Sequence, residues 1–94
     1  MRLHSDEIDL LKMTLKKLDA RAELYLFGSR VDDSKRGGDI DLLIVSTVLD
    51  KRVKRALRLA FFERFGEQKM DVLLDNGQFE EPFHKLALER GIKL

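Results

Sequence analysis

The sequence predicts an α+β domain, a small mixed three-stranded sheet packed by helices in an α/β two-layer arrangement, with elements in the order α-β-β-α-β-α. Three observations carry this. Two short apolar runs, Leu24–Phe27 before Gly28 and Leu42–Val45 after Asp41, read as strands. One long segment, Val48–Phe65, sets Val53, Leu57, Ala60, Phe61 and Phe65 at helical spacing. It lies between strand-like residues 39–45 and 70–74 and has the length of a right-handed crossover, which makes those two strands parallel neighbours.

The elements follow in order. Ser5 or Asp6 caps a first helix, with Asp6, Glu7 and Asp9 where the helix dipole favours negative charge and Lys16 and Lys17 near its end. Ile8, Leu11, Leu15 and Leu18 line its buried face. Ala22–Phe27 is a buried first strand stopped by Gly28, and residues 29–38 are a polar connection. Asp39–Val45 alternates polar and apolar at its start and is apolar on both faces later, so its beginning is exposed and its end buried. The first strand hands the chain to the start of the second, which suits antiparallel pairing. Asp50 caps the long helix and Gly66 stops it; Met70–Leu74 is the third strand and Asp75-Asn-Gly-Gln a turn. A last helix over Phe79–Arg90 carries Phe83, Leu86 and Ala87, takes Pro82 in its first turn and closes at Gly91.

Composition bounds the function. The 94 residues are expected to form one domain over 1–94, with 44% hydrophobic residues to fill a core. Charged residues reach 37%, but 18 Lys and Arg meet 17 Asp and Glu, so a net charge of +1 exerts no global pull on nucleic acid. The absence of cysteine excludes disulfides and thiolate chemistry. With no apolar run of membrane-spanning length and no hydrophobic leader, the expected setting is the cytoplasm, away from membranes.

Chemistry concentrates at the strand beginnings. Asp39 and Asp41 stand two apart on one strand, so their carboxylates leave the same face at roughly 6.5 Å Cα spacing. Parallel pairing sets Asp71 beside them, completing an oxygen-rich cluster suited to Mg²⁺. Acidic residues at strand starts are also ordinary solubilising choices. What distinguishes these is Gly28-Ser29 immediately after an apolar strand, where backbone N–H groups and a hydroxyl suit phosphates.

Leu26-Phe27-Gly28-Ser29-Arg30, a spacer, then Gly38-Asp39-Ile40-Asp41-Leu42-Leu43 resembles the signature of the DNA polymerase β-like nucleotidyltransferase superfamily, and the likeness covers essentially the whole chain. The wording looks most like the minimal nucleotidyltransferases (MNT-type) encoded beside a helical HEPN-domain partner. The resemblance implies the nucleotidyltransferase fold. It also implies that Gly28 and Ser29 hold the β- and γ-phosphates of an NTP such as ATP, while Asp39, Asp41 and Asp71 form a catalytic, Mg²⁺-binding triad. Two Mg²⁺ ions then bridge triphosphate and triad, a hydroxyl attacks the α-phosphorus in line, and Asp71 helps deprotonate that hydroxyl. Arg30 either neutralises phosphate charge or solvates its loop, and Gly38 replaces the serine often found before the first aspartate. Members with broad substrates carry a further acceptor-binding domain; with no room for one here, the acceptor is expected to come with, or be, a partner protein. The implied role is an antitoxin that adenylylates a HEPN toxin. The alternatives are a non-catalytic subunit acting on its partner by contact, and a small-molecule transferase completed by a homodimer.

The remaining features are read as structural. Lys51, Arg52, Lys54, Arg55 and Arg58 form the solvated side of the long helix rather than a nucleic-acid surface, since no aromatic residues interleave with them. His4 and His84 have surface or packing roles. Phe61, Phe62, Phe65, Phe79 and Phe83 belong to the core, except that the outward member of Phe61 and Phe62 is a candidate interface contact.

Overall fold

A computed structural model describes residues 3–28 and 39–94. Helix α1 spans Ser5–Leu18 and is capped by His4, one residue before the predicted Ser5, because Glu7 reaches back to accept the His4 N–H at 2.8 Å. Leu11 and Leu15 are buried as expected, whereas Leu18 is exposed. Strand β1 (Glu23–Phe27) pairs antiparallel with β2 (Ile40–Val45), and β2 pairs parallel with β3 (Met70–Asp75). Both pairings are those the sequence predicts.

The crossover helix α2 spans Arg52–Phe65 and starts later than the predicted Val48. The Ser46 hydroxyl accepts the Val48 and Leu49 N–H groups and donates to Asp19 at 2.6 Å, so those residues form a turn tied to the end of α1. The N-cap of α2 is Lys51 rather than the predicted Asp50, whose carboxylate sits one residue earlier and accepts the Arg52 N–H at 2.9 Å, and α2 ends at Gly66 with φ +90°.

Two expectations are corrected near the C-terminal end. Helix α3 spans Pro82–Arg90 rather than starting at Phe79. The Asp75 carboxylate accepts the Gly77 and Phe79 N–H groups at 2.8 and 3.1 Å, which holds the chain in a turn with Phe79 at φ +53°. A fourth strand follows, β4 (Ile92–Lys93), pairing antiparallel with β1, so that among the described residues the sheet has four strands in the order β3-β2-β1-β4. Two residues are too few to show a strand period. Their pairing is extended by the Leu94 N–H on the Leu24 carbonyl and by Lys93 on Glu23 at 2.8 Å.

Strand alternation divides the side chains between two faces. Leu24, Leu26, Ile40, Leu42, Ile44, Met70 and Val72 pack with Leu11, Leu15, Val53, Leu57 and Phe61 under α1 and α2, forming the main core. Phe27 and Leu43 point to the opposite face and pack with Ala87 of α3. Helices therefore cover both faces, where a two-layer arrangement was predicted. Phe61 is fully buried, so Phe62, half-buried against the edge of the main core, is the outward member of that pair; Phe83, expected in the core, is 58% exposed, with Leu86 also exposed. Among the described residues no helix is long and apolar enough to cross a membrane.

Candidate active site

The face under α3 carries rows of side chains running across the strands. The register aligns Phe27 with Asp41 and Asp41 with Asp71, so one apolar and two acidic side chains form a single row at the end where β2 and β3 begin. Period 2 places Asp39 one step outside that row. There the Ile40 N–H donates to the Lys69 carbonyl, and the Lys69 ammonium sits 3.3 Å from the Asp39 carboxylate. The three predicted carboxylates thus lie together.

Their mutual charge is visible at Asp41. Partial burial pushes its carboxyl above the ordinary carboxylate value, and repulsion from Asp71 and Asp39 adds to the push; Lys69 opposes it. A hydrogen bond with the Asp71 carboxyl also favours the protonated form, since two ionised carboxylates have no proton to share. Lys69 is raised in turn, first by its hydrogen bond to Asp39 and then by the charges around it. Sequence reading missed Lys69. The available signal was its register, two residues before Asp71 as Asp39 is two before Asp41.

Gly28 closes the row on the β1 side. Its φ of +77° is one that side-chain-bearing residues rarely adopt, and a Cβ there would run into the Asp41 carboxylate. Backbone and carboxylate therefore approach as closely as glycine permits. Ser29 and Arg30, predicted to bind phosphate, lie outside the described residues.

An all-oxygen, multiply anionic donor set suits a hard divalent cation, and the repulsion at Asp41 is what such a cation relieves. The residue types present fit Mg²⁺ chemically, although among the described residues no three acidic or histidine side chains are arranged so as to hold a metal ion. Asp39 is engaged by Lys69 instead.

A second polar cluster lies at the opposite ends of the same strands. Asp75, 5% exposed, accepts from Gly77 and Phe79 and pairs with His84 Nδ1 at 2.9 Å, joining α3 to β3. Burial opposes ionisation of Asp75, but the bond to His84 and the two backbone donors outweigh it and hold the carboxyl below its ordinary value. This gives His84 the packing role predicted for it. His4, the other histidine, contributes its backbone N–H at the start of α1.

Comparison with known proteins bears on this geometry. The family model described as nucleotidyltransferase domain matches residues 8–93, which takes in every described element except the start of α1. The chain belongs to the nucleotidyltransferase domain family. No curated protein matches it. For a nucleotidyltransferase domain, acidic residues at the beginnings of two parallel strands, beside a glycine turn, are groups suited to metal-bound triphosphate. The basic residues of α2 remain largely on its outer side, but Arg58 is drawn in and donates through Nε to the Met70 carbonyl at 3.0 Å, bracing the start of β3 one residue from Asp71.

Proposed function

We propose that this nucleotidyltransferase domain works with Mg²⁺ to transfer an adenylyl group from ATP to a hydroxyl on a partner protein, a HEPN-type toxin that the modification neutralises. The observation that carries the reading is the in-register pair Asp41 and Asp71, with Asp39 beside them and the Gly28 backbone against Asp41. The partner and the antitoxin role rest on the likeness to minimal nucleotidyltransferases.

In this reading Asp39, Asp41 and Asp71 hold Mg²⁺, which supplies charge neutralisation for the triphosphate and for the developing oxyanions. Gly28, Ser29 and Arg30 receive the β- and γ-phosphates. Asp71 is exposed on β3, an edge strand of the described sheet, so an acceptor hydroxyl approaching from that side meets Asp71 first. Asp71 accepts the proton as the hydroxyl oxygen bonds to the α-phosphorus, and pyrophosphate departs from the opposite side. Lys69, 3.3 Å from Asp39, would compete with Mg²⁺ for that carboxylate and would be the nearest cation to the phosphates once the metal held it.

The test is titration of ATP with Mg²⁺ into the wild type and into the Asp39→Ala, Asp41→Ala double variant, with circular dichroism showing both folded. Binding lost in the double variant is the expected result; binding retained overturns the site. Incubation with the partner and intact-mass measurement then separates transfer from inhibition by contact alone, which leaves the partner's mass unchanged.

A further inference from the structure

A hollow of about 300 Å³ opens between the end of β1 and the outer side of α3. One end is formed by Gly28 and Asp41, the walls by Phe27, Phe83, Leu86 and Ala87, with Arg90 also lining it. We propose that this hollow is the nucleobase subsite of the transferase, in which the base of a bound nucleoside triphosphate stacks on Phe83 while its phosphates lie on Gly28 and the carboxylate row. The inference rests on the proposed function and adds where the nucleotide lies.

Position is the first argument. The hollow shares Gly28 and Asp41 with the phosphate and metal side of the site, so a ligand held there has its remaining atoms within reach of α3. Asp71 is not among its walls. The sheet order sets β3 on the far side of β2 from β1, so base and acceptor enter from opposite sides of Asp41.

Chemistry is the second. Phe83 is a large ring left 58% exposed on a nine-residue helix whose neighbouring Ala87 is buried, so much of its apolar surface has no partner within the fold. Its edge-to-face contact with Phe27, centroids 6.1 Å apart and planes at 82°, holds the ring in place. A flat, fixed aromatic surface beside a phosphate site suits a base, because every base offers a π-face. Arg90 supplies a cation for a polyanionic ligand. The volume falls at the lower end of the range for small-molecule sites, roughly 300–1,000 Å³.

The experiment compares titrations of Mg²⁺-ATP and Mg²⁺-tripolyphosphate into the wild type, Phe83→Ala and Leu86→Glu, each checked for folding by circular dichroism. The wild type is expected to bind ATP more tightly than tripolyphosphate. Phe83→Ala is expected to weaken ATP by roughly 5- to 150-fold, the range for loss of one base–aromatic stack, with tripolyphosphate unchanged. Leu86→Glu is expected to reduce ATP in the same selective way, which keeps the test open should Phe83→Ala fail to fold. Equal wild-type affinity for ATP and tripolyphosphate, or ATP binding unchanged in the folded variants, overturns the subsite while leaving the carboxylate site standing. A wild type that binds neither overturns the nucleotide reading itself and the subsite with it.

Discussion

Gly28→Ala separates two physical demands that meet at one residue. At φ +77° an alanine is disfavoured by roughly 1–2 kcal/mol relative to glycine. The added methyl also collides with the Asp41 side chain, whose Oδ2 is nearest and whose Cγ and Cβ lie 3.0 and 3.3 Å from it. Asp41 must leave its rotamer, which adds about 0.5–1.5 kcal/mol. The expected loss of stability is therefore about 1.5–3.5 kcal/mol, read by urea denaturation; each kcal/mol corresponds to about 4–8 °C in Tm for a domain of this size. Gly66 is the internal control, because its φ is +90° and nothing lies within 4 Å of a Cβ placed there. Gly66→Ala should show the backbone strain alone. In an Asp41→Ala background the loss at Gly28 should shrink to the Gly66 value, and that coupling is the signature of collision. An identical loss at Gly28 with and without Asp41 would refute the close approach on which the phosphate side of the site depends.

Two further predictions test other parts of the fold. Asp75→Ala leaves the Gly77 and Phe79 N–H groups without their acceptor and should destabilise by about 1–3 kcal/mol. Because the folded carboxyl titrates below its ordinary value of 3.8, its contribution is fully present above that value and is lost as pH falls through the lower folded pKa. Wild-type stability should thus decline on acidification more steeply there than that of Asp75→Asn, and parallel acid limbs in the two denaturation series would count against it. Gly91→Ala should destabilise by about 1–3 kcal/mol, as overpacking does, although its backbone dihedrals are ordinary for any residue. A Cβ there sits 2.7 Å from the Ala87 carbonyl and 3.1 Å from that of Leu26, and a stabilised variant would show that β4 shifts to make room.

The sequence made β1, β2 and β3 legible because bulky apolar runs bounded by glycine and aspartate have few other solutions, and the length of α2 settled which pair is parallel. The Asp39 and Asp41 pairing followed from the strand period alone. What escaped had physical reasons. Phe79 packs against the second core cluster as its type suggests, but the Asp75 side chain captures the N–H groups of residues 77 and 79 and delays α3, on which Phe83 faces outward. Lys69 carries no motif and acquires its place only through pairing with β2. Strand β4 offers two residues, so only the tertiary partner identifies it. Arg58 belongs by sequence to a solvated stripe, and its bond to the Met70 carbonyl is a long-range event.

Asp41 and Asp71 face each other across a backbone ladder whose strand spacing is about 4.8 Å. Their separation is therefore a lattice constant of the sheet, and Ile40, Leu42 and Val72 beside them on the chain are buried in the main core. Local opening of the pair would require the sheet itself to open, so amide exchange at these residues should be as slow as anywhere in the domain. On heating, the loss of the carboxylate site should coincide with global unfolding. The acidic centre is a part of the molecule that cannot wear out before the whole does.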